Sequence, residues 1–253
     1  MALTITTLAE RPELHEPMLQ MPDTWPAFMA EDPVGWACYA HVPREFPEHV
    51  LIATDGDGEV VAHAFSAPFR LDAAGRGELP GTGWDQVLLW AFADLHSGEQ
   101  PDTVSALDIT VAAGRQNEGI SVRMVTALRE NVRRLGITTL VAPVRPTAKH
   151  LETSCSIHEY AFRTRPDGLP YDPWLRVHAR LGATVETVAP ASMTIPGTLA
   201  QWRAWTGLAF DTPGPVEVPG ALVPVHCEPE RGYAVYVEPN IWVRHTLRAD
   251  PQP

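Results

Sequence analysis

The stretch Ile109–Gly136, ITVAAGRQNEGISVRMVTALRENVRRLG, restricts the fold more than any other part of the chain. A β-rich apolar run, Val104 to Ala112, passes through a short polar loop into a helix predicted over Gly119 to Leu135. A second apolar run, TTLVAPV, follows and reads as a buried strand. Ile120, Met124, Val125, Leu128, Val132 and Leu135 recur at helical spacing and make one apolar face. Arg129, Arg133 and Arg134 gather near the end of the helix, where cations suit the dipole, and Gly136 is a natural stop. A strand, a helix and a strand joined in this way predict a right-handed crossover between parallel strands.

The start of this helix asks for a ligand. The first-turn amides of any helix lack internal partners, and the positive end of the dipole lies behind them. A glycine at that point lets an anion come close to the backbone, so Gln116-Asn117-Glu118-Gly119-Ile120-Ser121 reads either as a packed turn or as an anion seat.

Around this unit the pattern is mixed. Met1 to Leu8 alternates weakly, as a short strand does, and prolines from Pro12 to Pro47 punctuate short helices. In TWPAFMAEDPVGWACYA, Trp25, Phe28 and Met29 share one face. HVLIATDGDGEVVAHAFSAPFRL is a hairpin turning at DGDGE. A helix is predicted over Trp84 to Leu95, a short one in PWLRVHARLG before Gly182, and another in TLAQWRAWTG. Strands are predicted in ATVETVAPASMTI and in two runs joined at EPERG, and the tail RADPQP is expected to fray. The expected architecture is α/β with a mixed sheet, in one domain.

Composition excludes several classes. The formal net charge of −12 opposes binding to nucleic acid. Cys38, Cys155 and Cys227 are far apart, which excludes a CxxC zinc site and a disulfide framework. No apolar run approaches 18 residues, so no membrane span is expected, and no signal peptide is visible. A cytoplasmic setting follows. HLETSCSIHEY lacks the second histidine of a zinc helix, and Cys155 lacks an indicated catalytic partner, so no metal is expected.

VAAGRQNEGIS resembles the coenzyme A loop of the GNAT superfamily of N-acetyltransferases, which reads Gln or Arg, two residues, Gly, one residue, Gly or Ala. Gln116, Gly119 and Ser121 match it. The order of elements from about residue 48 to 195 is also similar, ending with VHARLGATV in the place of the family's Tyr-x-x-x-Gly. Ala113 stands where the family often has Pro, and Asn117 and Ser121 where it often has Gly; neither change blocks amide donation.

The resemblance implies a GNAT-like mixed, splayed central sheet flanked by helices. Its single domain would span 1–253, with an N-terminal strand and short helices over 1–47, a core over 48–195 and a C-terminal helix and strands over 196–253. Insertions at about 69–102 and 147–171 would enlarge the acceptor pocket, with the segment Trp84–Leu95 covering the acceptor side. The backbone around Val111, Ala112 and Ala113 would pair with pantetheine, and the amides of Asn117, Glu118, Gly119, Ile120 and Ser121 would hold the pyrophosphate of acetyl-CoA or another acyl-CoA.

The implied reaction is direct acylation of a small amine. His178 takes the place of the family's tyrosine acid, with Tyr160 and Tyr171 as substitutes. Asp108, a carboxylate within SALDITV, would take the amine proton. A decarboxylase acting on the thioester itself and a non-catalytic CoA-binding module are the alternatives, and self-association as a homodimer stays open.

Overall fold

The computed structural model describes residues 3–22 and 25–247. The tail RADPQP, residues Met1 and Ala2 of the expected first strand, and Thr24 lie outside them.

The strands are β1 (Thr4–Thr7), β2 (Val50–Thr54), β3 (Val60–Phe69), β4 (Thr103–Val111), β5 (Thr139–Val144), β6 (Thr184–Thr198), β7 (Gly214–Val216), β8 (Val225–Glu228) and β9 (Tyr233–Thr246). The helices are α1 (His15–Leu19), α2 (Pro33–Ala37), α3 (Val42–Glu45), α4 (Gly83–Ser97), α5 (Ile120–Arg134), α6 (Ile157–Ala161), α7 (Pro173–Arg180) and α8 (Leu199–Thr206), with 3₁₀ turns among the first three. The strands form one sheet in the order β1-β2-β3-β4-β5-β9-β8-β7, and β6 also pairs with β9. The strand Gly214–Val216 was not legible in the sequence, being short and proline-containing.

Two features of this sheet place everything else. First, the parallel pair β4–β5 is joined only at Val104↔Leu140 and Ser105↔Val141. Past these pairs the two strands part, so the outer half of β4 keeps a backbone edge turned toward β5 without a strand on it. Second, β4 carries a bulge. Phe65 pairs with Asp108 and Ser66 with Ala106, which leaves Leu107 without a partner. One extra residue inverts the alternation of side chains. Val104 and Ala106 lie in the core under α5, whereas Asp108 and Thr110 face the opposite side.

The sheet is covered on both faces. On one, α5 buries Ile120, Met124, Leu128 and Val132 against Ala62, Ala64 and Val104, and Leu175 of α7 joins the same core. The valine, leucine, isoleucine and methionine side chains among these contribute roughly 1.5–3 kcal/mol of burial each. On the other, Trp84, Val87, Leu88 and Ala91 of α4 pack with Phe65, Phe69 and the N-terminal helices. The α4 segment therefore lies on the Asp108 face, opposite α5.

Candidate active site

The loop before α5 is built to present its amides. Asn117 and Gly119 both hold positive φ, 67° and 74°. Gly119 is the N-cap of α5, no side chain caps the helix, and its first turn carries no acid. A Cβ built on Gly119 would meet no protein atom within 4 Å. Gln116 to Gly119 are exposed. Glu118 brings a negative charge to the loop, but Arg115 pairs with it at 3.0 Å and with Asp55 at 3.0 Å. The same arginine pins the loop to the β2–β3 turn. Uncapped amides, a left-handed glycine and open space in front of it suit a diphosphate. The backbone of Val111 to Ala113 leads from the open edge of β4 into this loop; Ala112 N–H is taken by Val61 O.

Gly119→Val should weaken CoA binding by about 100-fold. A β-branched residue at φ 74° costs roughly 1–2 kcal/mol of strain, and its side chain fills the space a diphosphate needs. Calorimetric titration with CoA checks it; parent-like affinity would place the diphosphate elsewhere.

On the other face, three side chains converge on one carboxylate and a fourth braces one of them. His63 Nε2–H donates to Asp108 Oδ2 at 2.9 Å. Thr110 Oγ1 lies 3.0 and 3.1 Å from the two Asp108 oxygens, and the Tyr39 hydroxyl 3.4 Å from Oδ2. Trp25 Nε1 reaches Thr110 Oγ1 at 3.4 Å. Strand register explains the first two contacts. His63 pairs with Thr110 and Phe65 with Asp108 across the antiparallel β3–β4 pair, so all four residues share a face. Asp108 is 9% exposed. His63 Nδ1 is buried without a partner, leaving a lone pair open. Around this group stand aromatic walls: Tyr39 lies 5.1 Å from Phe65 and 5.4 Å from Trp84, ring to ring. Trp84 is fixed by its indole N–H on Leu107 O at 3.0 Å.

His63 and Tyr39 were not singled out from sequence. His63 lies on the predicted hairpin strand, but its pairing opposite Thr110 had no local signal, because residues 70–102 separate β3 from β4. Tyr39 comes from a proline-punctuated segment that has no period to read.

The expected acids fall elsewhere. His178 lies on the α5 face, with its Nδ1 at 3.0 Å from Nε2 of His245 and its ring against Trp174. Burial, then the neighbouring imidazole, pushes it down to about 3. At neutral pH it carries no imidazolium proton to deliver, which removes the reason for expecting it as the acid. His245, which had no role assignable from sequence, is its partner. The Tyr160 hydroxyl donates to Asp172 Oδ2 at 3.0 Å inside the core, and burial raises it further above the ordinary phenol range. Asp172 also caps α7 and receives Ala148 N–H, so Tyr160 anchors the 147–171 insertion. Tyr171 packs against Tyr160 and Arg163. The structure thus separates Asp108 from His178 and Tyr160, and joins it to His63, Thr110 and Tyr39.

No protein-family model matches the chain. One curated relative, described as arginine N-acetyltransferase avaD from Aspergillus versicolor, is 32% identical over 96% of this chain and 94% of its own length. The chain belongs to the GNAT superfamily. Among solved structures, the loading GNATL domain of CurA from Lyngbya majuscula superposes with a TM-score of 0.61 at 15% identity, covering 97% of this chain and 98% of that one. The GphF GNAT-like decarboxylase, solved in complex with isobutyryl-CoA, gives 0.53 at 15% identity over 98% and 100%. These last two establish the fold alone.

As a GNAT-type N-acyltransferase the chain binds an acyl-CoA. The uncapped α5 amides, the positive-φ glycine and the open β4 edge are surroundings that such a donor fits. No helix among the described residues is long and apolar enough to cross a membrane.

Proposed function

We propose that the protein acetylates an amine of arginine, or of a small arginine-like molecule, using acetyl-CoA. The observation that carries this reading is the Asp108 group. A carboxylate with three donors on it sits on the strand that parts from β5, one face away from the donor loop. The 32% identity to an arginine N-acetyltransferase supports the acceptor class, and the net charge of −12 favours a cationic one.

The residues divide the work. The amides of Asn117 to Ser121 would hold the diphosphate, and the open edge of β4 at Val111 to Ala113 would align the pantetheine arm. The acyl-CoA supplies an activated acyl thioester. An ammonium cannot attack it, so one proton must leave before the nitrogen is nucleophilic. Asp108 draws the ammonium in by charge. The Asp108–His63 pair then takes the proton, with His63 Nδ1 as its open end, and Thr110 and Tyr39 keep the carboxylate from rotating. A second proton leaves the nitrogen as the N–C bond forms, which balances the departing thiolate. Positioning two reactants on one strand supplies much of the rate gain.

The test is an acetyl-CoA assay that reads free thiol and product mass with arginine as acceptor. Arginine-dependent thiol release, with a product heavier by one acetyl group, is expected. Loss of malonyl-CoA without any amine would instead indicate chemistry on the thioester, and CoA binding with no turnover on arginine or other amines would indicate a binding module.

A further inference from the structure

The far side of the gap between β4 and β5 carries a positive charge. On β5, Leu140, Ala142 and Val144 lie in the core under α5, whereas Val141 lies in the core of the opposite face. Alternation brings Arg145, the residue after Val144, to that opposite face, which is the face of Asp108. Register fixes its height. The last bonded pair is Ser105↔Val141, and the same number of residues further along the two strands stand Ile109 and Arg145. Arg145 is therefore level with the Asp108–Thr110 stretch, across the place where the strands part.

The guanidinium is held in position. Its Nε donates to Glu238 Oε2 at 2.9 Å, and its Nη2 donates to Gly220 O. Glu238 is fixed in turn, accepting from the Tyr236 hydroxyl at 2.9 Å and from Asn240 Nδ2 at 3.0 Å. The Tyr236 hydroxyl stands beside the guanidinium as well, with its own proton spent on Glu238. Neither holding contact uses Nη1, and that nitrogen is not closed off from solvent. The Arg145 side chain as a whole is 14% exposed.

Trp25 bridges this cation to the Asp108 group. Its ring lies 5.6 Å from the Arg145 guanidinium carbon, and its indole N–H reaches Thr110 Oγ1 at 3.4 Å. Thr110 Oγ1 itself lies 3.0 Å from Asp108 Oδ1. One indole thus spans the gap, and it is 37% exposed, so solvent reaches this side of the pair. The next residue, Pro26, packs on the loop that holds Arg145: a Cβ built on Gly220 would lie 2.8 Å from Pro26 Cγ.

We infer that Arg145 holds the carboxylate of the acceptor while Asp108 receives its amine, so that the acceptor is a free α-amino acid and the acetylated nitrogen is its α-amine. This deepens the arginine reading proposed above and rests on it. An α-amino acid carries an ammonium and a carboxylate on one carbon. A carboxylate and a guanidinium fixed at one level, on two strands that part between them, match that pair sign for sign. Guanidinium N–H groups suit carboxylate oxygens in geometry as well as charge. The Glu238 contact spends Nε and leaves Nη1, so a second carboxylate can be taken without breaking the first. Attachment at two points restricts how the amine faces a thioester aligned along the open edge of β4.

Two measurements test the clamp. The first sets arginine against argininamide, which keeps the α-amine and the guanidinium and replaces the carboxylate with a neutral amide. The variant is Arg145→Met combined with Glu238→Gln, which removes both charges of the ion pair together and leaves neither buried alone. Its kcat/KM ratio of arginine to argininamide should fall about 10- to 100-fold below that of the parent, the range for hydrogen bonds to a charged group. The two amines differ in basicity, and this cancels when variant is compared with parent. CoA affinity should stay close to parental. The second measurement uses the parent alone: fragmentation mass spectrometry of the arginine product should place the acetyl group on the α-nitrogen. An unchanged ratio in a variant that binds CoA like the parent, or an acetyl group on the guanidinium, would overturn the clamp. Failure of the parent to acetylate arginine and argininamide alike would instead overturn the acceptor reading on which it rests.

Discussion

Asp108→Asn is expected to lower kcat/KM for acyl transfer by about 10²- to 10⁴-fold, the range for removing a positioned base, with CoA affinity close to that of the parent. Asparagine keeps the shape; with its oxygen in the place of Oδ2 it still accepts from His63 and Tyr39, and its amide can donate to Thr110 Oγ1, so the site should stay assembled. What it loses is the charge that draws in an ammonium and the capacity to take its proton. The loss should be deepest at low pH, where little free amine exists, and shallower at high pH, where the amine arrives neutral. The ratio of variant to parent kcat/KM across pH is the measurement. A flat ratio near one would reduce Asp108 to a strand residue.

Acidification should destabilise the fold well before its carboxylates are neutralised. Burial pushes His49 to about 4, His178 to about 3 and His245 to about 4, all below the ordinary 6.5. A base whose folded value is depressed binds its proton more readily in the unfolded chain. Stability therefore falls as pH drops below about 6.5 and goes on falling to about 4, where the folded imidazoles begin to protonate. Each such group contributes a slope of about 1.4 kcal/mol per pH unit. Asp85 has the opposite sign. Its folded value of about 8 lies above the ordinary 3.8, so the folded state holds the extra proton over this window and offsets one histidine.

Asp32, raised by burial as well, acts in the same direction as Asp85, so one to two imidazoles stay uncompensated. That is a net loss of about 2–4 kcal/mol by pH 5, a large share of the stability of many domains. Urea unfolding at pH 7.5, 6.5 and 5 reads this directly. His178→Gln combined with His245→Gln should flatten the profile; a parent whose midpoint did not move between pH 6.5 and 5 would refute the assignment.

The legible parts of the molecule were those with a strong local period. The helix at Gly119–Leu135 appears as Ile120–Arg134, the hairpin at DGDGE as β2–β3, and the crossover from Val104 as β4-α5-β5. The donor loop could be read because its features are local: a glycine, an absent cap and a strand before it. The acceptor side could be read only in part. Asp108 stood out because a carboxylate in an apolar strand is costly, but its partners come from three separate segments. His178 was chosen by its place four residues before Gly182, and spacing carries no information about His245, which arrives 67 residues later to close the pair. Arg145 looks like an ordinary charge at a strand end; only the parting of β5 from β4 sets it across from Asp108.

The single unpaired residue at Leu107 sets the phase of the outer half of β4. Upstream of it, even-numbered positions are hydrocarbon filler for the α5 core; downstream, even-numbered positions are Asp108 and Thr110 on the opposite face. The strand thus has two registers in series, and in the proposed reaction donor handling and acceptor handling would occupy opposite sides of one backbone. Selection can then rewrite the acceptor lining from β3, α2 and α4 without touching a residue that sees the nucleotide. Conversely, removing this one peptide unit would turn Asp108 toward the α5 core and bring Ile109 and Val111 round to the acceptor side. The enzyme would lose its reaction by a change of parity rather than by the loss of any functional group.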